Sequence, residues 1–490
     1  MTLTQSVGNA RSSLSTVSEQ ISVVSQNIAR MSDSSATRKI ANVITVAGGG
    51  VSVASISRTA NKLLLDTYLS ANSNNQTQTV INSALNQLEY TVGDTDTATS
   101  PAGLISKLNS ALQNYSATPQ NSAVGATVVS AAQSLVSSLN SATEAVTNMR
   151  NQADADIATS VSNVNNLLSQ FEKLNQSVVS GTASGIDITD LLDQRDAVLK
   201  QLSNEVGIRT VTRAGGDMAI YTDSGVTLFD KTARQVTFSA SGNLVPGSVG
   251  SPIYADGVPI AGTSHTMSIS SGNLAGLVEV RDNIALTYQS QLDEIARGLI
   301  EATAETDQSA SPTLPDATGL FTYGGGPAIP ASGTLVAGLA GSIKVNPNVD
   351  PSQGGDPTLI RDGGIAGNAA YTYNTTGTAS YTDRIQQLIT NLGTSRSFDG
   401  SAQLTQSASV SDYAKSSVSW LEALRQSASA EAESRQTLAD RASSALSSDT
   451  GVNLDEEMTN LLDLERTYQA SSRLINTVDN MFATLLQAVS

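Results

Sequence analysis

The stretch "GVNLDEEMTNLLDLERTYQASSRLI", residues 451–475, sets three successive carboxylates, Asp455, Glu456 and Glu457, at the head of an apolar repeat. Neighbouring carboxylates can hold a hard cation or share acid/base work, provided that further ligands or a reacting group converge on them. No such converging residues are indicated. Asn453 stands where a helix N-cap would, and acids in a first helical turn are stabilised by the helix dipole, by about 0.3–1 kcal/mol each. The three acids therefore read as the start of a helix.

Other chemistries are as thinly supplied. The chain has no cysteine, which removes thiolate nucleophiles, thiolate metal sites and disulfides. Its one histidine, His265 in "AGTSHTMSI", lacks a nearby nucleophile and orienting acid, so a structural or surface role is expected. "GGG" at 48–50 and "GGIAG" at 363–367 lack the Gly-Lys-Ser/Thr or strand–Gly–helix context of phosphate loops and read as turns. "DTD" at 94–96 lacks the glycine and terminal Glu of a calcium loop, and "DPSQGGDPTLIRDGG" (350–364) reads as a solvated loop. No catalytic, metal or cofactor-binding residue is expected, and no cofactor.

Composition narrows the class further. The net charge of −17 opposes nucleic-acid binding, which rests on neutralising phosphates, and anionic membrane surfaces. The start lacks the basic and apolar regions of a secretory signal. No window approaches the roughly 18 apolar residues of a membrane span, so no membrane insertion is expected. With 490 residues, 39% apolar and 4% aromatic, several domains with thin, extended packing are expected.

The elements that carry these residues have a clear pattern. Leu3, Val7, Ala10, Leu14, Val17, Ile21, Val24, Ile28 and Met31 alternate four and three apart, a heptad seam on one helix. Leu461, Leu464, Tyr468, Ser471, Ile475, Val478, Phe482, Leu485 and Val489 repeat it. Residues 1–60 carry five basic and two acidic residues and 451–490 six acids and two arginines, so the charges favour pairing. The heptads leave open whether the partner is the same chain or a neighbour. A lone helix of about four heptads is marginal in water, so these segments are expected to be poorly ordered in the isolated monomer and to become helical on assembly.

Between them, Ser100-Pro101 predicts a helix start, with Leu104, Leu108, Leu112 and Tyr115 on one face. Residues 126–180 lack proline and predict a rod about 80 Å long, or two helices broken near Asp154. "DITDLLDQRDAVLKQLSNEVG" predicts a helix stopped at Gly207, and residues 277–300 predict another. Residues 208–275 alternate β-formers with glycine turns, and 311–380 hold 13 of the 37 glycines and seven of the twelve prolines. The fold class is mainly α with inserted β, multi-domain. Its terminal helices form a coiled-coil-like axial core, followed by a long helical shaft and a β-rich projecting middle. The expected units are 1–45 with 452–490 (axial core), 46–207 with 276–308 and 381–451 (shaft), 208–275 (β-rich), and 309–380 (Gly/Pro-rich β/loop insertion).

Residues 451–489 closely resemble the C-terminal end of the bacterial flagellar hook-associated protein 1 family, the first hook–filament junction proteins. So do "DLLDQRDAVLKQLSNEVG" at 190–207 and "LAGLVEVRDNIALTYQSQLDEIARGL" at 274–299. "SVVSQNIARMSDSSATRKI" resembles a segment shared by flagellar rod, hook and junction proteins. Here, however, Arg30 replaces an Asn and "SDSSATRK" replaces a Pro-Gly-Tyr turn, so the family conformation is not assumed after Met31.

The resemblance implies a non-enzymatic protein exported through the flagellar type III apparatus without a cleaved signal, and an extracellular place in the flagellum. It implies self-association in a ring or tube at the distal hook end. It also implies contacts with hook protein, the second junction protein and an export chaperone. The assembly and chaperone interface is expected on Leu3, Val7, Leu14, Val17, Ile21, Val24, Ile28, Leu461, Leu464, Tyr468, Ile475, Val478, Phe482 and Leu485. Rival readings are the second junction protein or a flagellin, a coiled-coil adhesin or phage-tail component, and a wall-cleaving hydrolase. The last would need paired carboxylates in a cleft, which residues 208–275 do not offer.

Overall fold

The computed structural model of the protein describes residues 3–33, 35–47, 49–92, 99–262 and 267–489; His265 and the "DTD" at 94–96 lie outside the described residues. Helix α1 (Leu3–Ala29) is followed by a hairpin, β1 (Lys39–Thr45) and β2 (Val51–Arg58). Then come α2 (Lys62–Val92), α3 (Pro101–Ala117), α4 (Ser122–Ser184) and α5 (Thr189–Glu205).

Ser100 caps α3 by accepting from the Gly103 N–H at 3.2 Å, with Pro101 in the first turn, as the sequence predicts. Helix α4 runs through Asp154 without a break, 63 residues or about 95 Å at 1.5 Å per residue. One 18-residue window of α4 has mean hydropathy 1.3, apolar enough by length and composition to cross a membrane, which corrects the expectation that no window comes close. Its apolar side chains, Val128 to Phe171, belong to the continuous core of the molecule, which accounts for the composition.

Two small antiparallel sheets follow, with strand order β3 (Ile208–Thr212), β4 (Met218–Thr222), β5 (Thr227–Asp230), β6 (Thr232–Ala233) in one, and β7 (Val236–Thr237), β8 (Ile253–Ala255), β9 (Val258–Ala261) in the other. Phe229 meets Phe171 of α4 edge-on, ring centroids 5.0 Å apart, so the sheet is anchored on the rod. Gly207 does more than stop α5. A Cβ there would come within 2.2 Å of Ser271 Oγ, where the two ends of the β region meet.

The chain re-enters the helical layer through α6 (Asn273–Glu279), a π-helical turn at 280–284, and α7 (Ala285–Ala302). The sequence shows one apolar stripe here, but α7 is buried on nearly all sides, including Asp293, Glu294 and Arg297. Loops brought from elsewhere satisfy these groups. Arg297 makes a bidentate pair with Glu294 (2.8 and 3.0 Å), and Glu294 also accepts from the Asp399 N–H at 2.8 Å. Asp293 accepts from the Gly338 and Ala340 N–H groups (2.8 and 2.9 Å) and from Gln289.

Burial outweighs those donors and pushes Asp293 up to about 6. A folded-state pKa above the unfolded value means that the native state binds the extra proton between about pH 4 and 6, so stability falls as pH rises through that window. The difference is about 3 kcal/mol. Asp293→Asn is expected to flatten this part of the pH–stability curve; urea titrations at pH 4 and 6 that move in parallel for both proteins would refute it.

Residues 309–380 have less β structure than expected: a two-residue strand pair, β10 (Phe321–Thr322) with β11 (Lys344–Val345), and the single turns α8 (Leu339–Ser342) and α9 (Leu359–Asp362). The segment lies against the rod, with Leu320, Phe321, Leu339, Ile343, Val349 and Ile360 buried and Gln133 of α4 donating to Asp350 at 2.9 Å. Asp350 and Asp356 in its acidic loop accept from Ser352 and Thr358 N–H groups, so they close turns. Then come α10 (Asp383–Gly393), the pair β12 (Arg396–Ser397) and β13 (Ser407–Ala408), α11 (Val410–Thr450) and α12 (Leu454–Val489). Helix α11 returns antiparallel along α2, tied by Asn61–Asp449, Asn75–Gln436 and Glu89–Arg425.

A division after residue 45 would fall within the hairpin, because β1 pairs with β2 from Lys39↔Arg58 to Thr45↔Val51. The hairpin also packs on α1: Thr16 Oγ1 donates to the Val51 carbonyl at 2.9 Å, and a Cβ on Gly50 would meet Ser12 Oγ at 2.7 Å.

Candidate assembly interface

Helices α1 and α12 pair with each other, antiparallel. Ser13 and Ser471 hydroxyls lie 3.1 Å apart, and fourteen residues along each helix in opposite directions Asn27 Nδ2 donates to Glu457 Oε2 at 3.1 Å. On the seam, Ala10, Val17, Val24, Ser471 and Val478 are buried. Leu3, Val7, Leu14, Ile21, Ile28, Leu461, Leu464, Ile475 and Phe482 are half-buried.

Three members of the repeats remain exposed in the single chain: Met31, Tyr468 (44%) and Leu485 (50%). Two helices alone cover only a narrow strip of each other, so the edges of the stripe stay in water. Conversely, Thr16 and Val23 are buried although they stand outside the α1 heptad, with Thr16 bonded to the hairpin.

The acids that open α12 divide in role. Asn453 Oδ1 accepts from the Asp455 N–H at 3.0 Å and the Glu456 N–H at 3.4 Å, the cap read from sequence. Glu457 goes beyond that reading. It is buried and accepts from Asn27 and from Arg38 Nε (2.7 Å), while Arg38 Nη1 reaches Glu456 at 3.0 Å. Asn27 also brackets the start of β1, donating to the Lys39 carbonyl (2.9 Å) and accepting its N–H (3.0 Å).

Three of the remaining basic groups, Arg30, Lys39 and Arg58, turn to α5. Lys39 and Arg30 both hold Asp190, and Arg58 bridges Asp193 (2.9 Å) and Asp196 (2.7 Å). Thus four of the five basic side chains of residues 1–60 are divided between α12 and the shaft. Lys39 and Arg30 hold Asp190 below the usual carboxylate range.

This joint fixes the direction in which the α1–α12 pair leaves the shaft. Glu457→Gln keeps the shape but loses the charge-assisted bonds, at about 1.5–3 kcal/mol. Faster hydrogen exchange at 24–29 and 455–459 is expected; exchange equal to wild type would remove Glu457 from the joint.

Apolar side chains stay exposed along both edges of the α12 seam, between exposed charged residues such as Asp463, Glu465 and Arg466. Leu454, Met458, Leu462, Leu474 (59%), Met481 and Leu486 (72%) of α12 are exposed, as are Ile40, Val43, Ile44 and Val46 on the hairpin. Isolated exposed apolar residues are ordinary, but a run along one helix and an adjoining hairpin marks an interaction surface. Among the described residues, no group of three or more His, Cys, Asp or Glu side chains is placed to hold a metal ion.

Residues 85–313 match the flagellar hook-associated protein FlgK helical domain, and residues 444–488 match the C-terminal region of flagellar basal body rod FlgEFG proteins. The flagellar hook-associated protein 1 of Bacillus subtilis is 26% identical over 430 residues, 83% of this chain and 79% of that one. Those of Salmonella typhimurium and Escherichia coli are 24% and 23% identical over 60% of this chain. The match spans just over half the length of these two, 55% and 56%. A solved structure, the flagellar hook junction protein FlgK from Burkholderia pseudomallei, aligns at 22% identity with a TM-score of 0.43 over 53% of this chain and 47% of that one.

Proposed function

We propose that the chain is a member of the flagellar hook-associated protein 1 family, a structural, non-enzymatic part of the bacterial flagellum that polymerises at the distal end of the hook and supports the filament. The observation that carries this reading is the set of uncovered apolar side chains along both edges of the α12 seam and on the β1–β2 hairpin. A polymer of such pairs, in a ring or tube, would bury what one chain leaves in water. The residues proposed to mediate this contact, or that of an export chaperone, are Leu3, Val7, Leu14, Val17, Ile21, Val24 and Ile28 of α1 and Leu461, Leu464, Tyr468, Ile475, Val478, Phe482 and Leu485 of α12. Exposed Tyr468 and Leu485 are the members free to meet a neighbour directly.

In this proposal the axial unit, 1–58 with 452–490, lines the polymer, and the shaft carries the β-rich residues 208–275 and the insertion 309–380 outward. Hook protein and the second junction protein are the axial neighbours, and export proceeds without a cleaved signal. Deleting the gene is the test. Cells are expected to keep hooks, lose attached filaments and stop swimming; a deletion strain with normal filaments and motility would overturn the reading.

A further inference from the structure

Beside the joint lies a cavity of about 210 Å3, lined by Arg58, Lys62, Arg195 and Lys200 together with Asp196 and the hydroxyls of Thr210 and Thr212. A second cavity, of about 430 Å3, shares Ser35, Thr37, Lys200, Leu446 and Thr450 with it. Two of the four cations are matched: Arg58 by Asp193 and Asp196, and Lys62 by Asp66 at 2.6 Å. The other two are not. Among the described residues, neither Arg195 nor Lys200 has a carboxylate within 4.0 Å.

Arg195 is only 3% exposed, and its Nη1 donates to neutral acceptors, Asn175 Oδ1 at 3.1 Å and the Gly216 carbonyl at 2.6 Å. Its Nε has no partner. Lys200 lies with its ammonium 5.7 Å from the centre of the Tyr68 ring. A buried, unmatched guanidinium with an unused donor is costly unless something supplies the missing charge. Burial lowers the pKa of both Arg195 and Lys200, and Asp196, with no oxygen within 4.0 Å of either, opposes that shift without cancelling it.

We propose that this cavity binds a small inorganic oxyanion of phosphate or sulfate size between Lys200 and Arg195. Its volume equals roughly seven water molecules at about 30 Å3 each, too small for a drug-sized ligand and ample for a tetrahedral ion. Bound there, the ion ties α5 to the segment 35–37 and to the end of α11, so it stiffens the joint from which the α1–α12 pair departs.

Equilibrium dialysis of the full chain against labelled inorganic phosphate, with ionic strength held by chloride, tests this. One saturable phosphate per chain, displaced by sulfate, is expected. Lys200→Met, which keeps the length of the stem over Tyr68, should weaken binding by about tenfold or more, and Lys200→Arg should retain it. Circular dichroism checks that both variants fold. No saturable uptake by the wild type, no displacement by sulfate, or equal uptake by folded Lys200→Met would overturn the proposal.

Discussion

Val17→Asp is expected to abolish assembly while leaving the shaft folded. Val17 sits mid-way along α1 and is 4% exposed, covered within the α1–α12 pair. An unpaired carboxylate there costs several kcal/mol, more than a thin two-helix seam can spare. Ser15→Asp, two residues away and exposed, is the control and should behave as wild type. Val478→Asp should match Val17→Asp, whereas Ile475→Asp and Phe482→Asp, at half-buried positions, should act more weakly as single-chain defects yet still block polymerisation. The measurements are hydrogen exchange at 5–30 and 460–488 against that of α4, and complementation of the deletion strain. A Val17→Asp strain that swims and carries filaments would end the argument.

Arg281→Ala is expected to lower global stability by about 3–5 kcal/mol, the cost of breaking a buried ion pair from one side. Arg281 lies in the π-helical turn and has no exposed surface. Its guanidinium donates to Asp154 of α4 at 2.7 Å, to both oxygens of Asp282 at 2.9 and 2.7 Å, and to the Ser251 carbonyl at 2.9 Å. Arg150 donates to the Arg281 carbonyl at 3.0 Å and to the Val245 carbonyl at 3.2 Å, so two arginines pin the 241–251 loop onto the rod.

Without Arg281 both carboxylates are stranded. Lysine cannot form the fork to Asp282 and reach Asp154 together, so Arg281→Lys should recover only part of the loss. Urea unfolding gives the magnitude, and limited proteolysis within 241–251 gives the location. A variant within 1 kcal/mol of wild type, with the loop still protected, would contradict this account.

The elements that sequence revealed are those whose order is set by local periodicity. Both heptad seams, the capped start at Ser100, the proline-free rod and the acid-rich start of α12 follow from spacing alone. The hairpin at 39–58 was also present in the sequence: Val51, Val53 and Ile56 with a glycine turn before them is a strand signal that went unread beside a stronger helical one.

The roles of Glu457 and Arg281 were not readable. Each depends on groups far along the chain, Asn27 and Arg38 for one and Asp154 for the other, and no local pattern distinguishes a buried charge from a solvated one. The burial of α7 on all sides was hidden for the same reason. Its polar residues look like a wet face until loops 335–340 and 397–402 are in place. Residues 309–380 mislead in the opposite way, since glycine and proline report turns but not what the turns pack against.

The Ser13–Ser471 contact joins positions 458 apart, and closing so long a loop in an unfolded chain costs about 5 kcal/mol in entropy. A folded shaft would remove most of that cost, because the Arg38 N–H meets the Thr450 carbonyl at 2.8 Å where α11 ends. From that point α1 and α12 need only zip outward, starting beside Glu457. A chain cut between Thr450, where α11 ends, and Leu454 keeps every element of the shaft but leaves the α1 stripe unanswered. If the proposed function holds, a subunit would complete the surface it polymerises with only once α12 has joined α1.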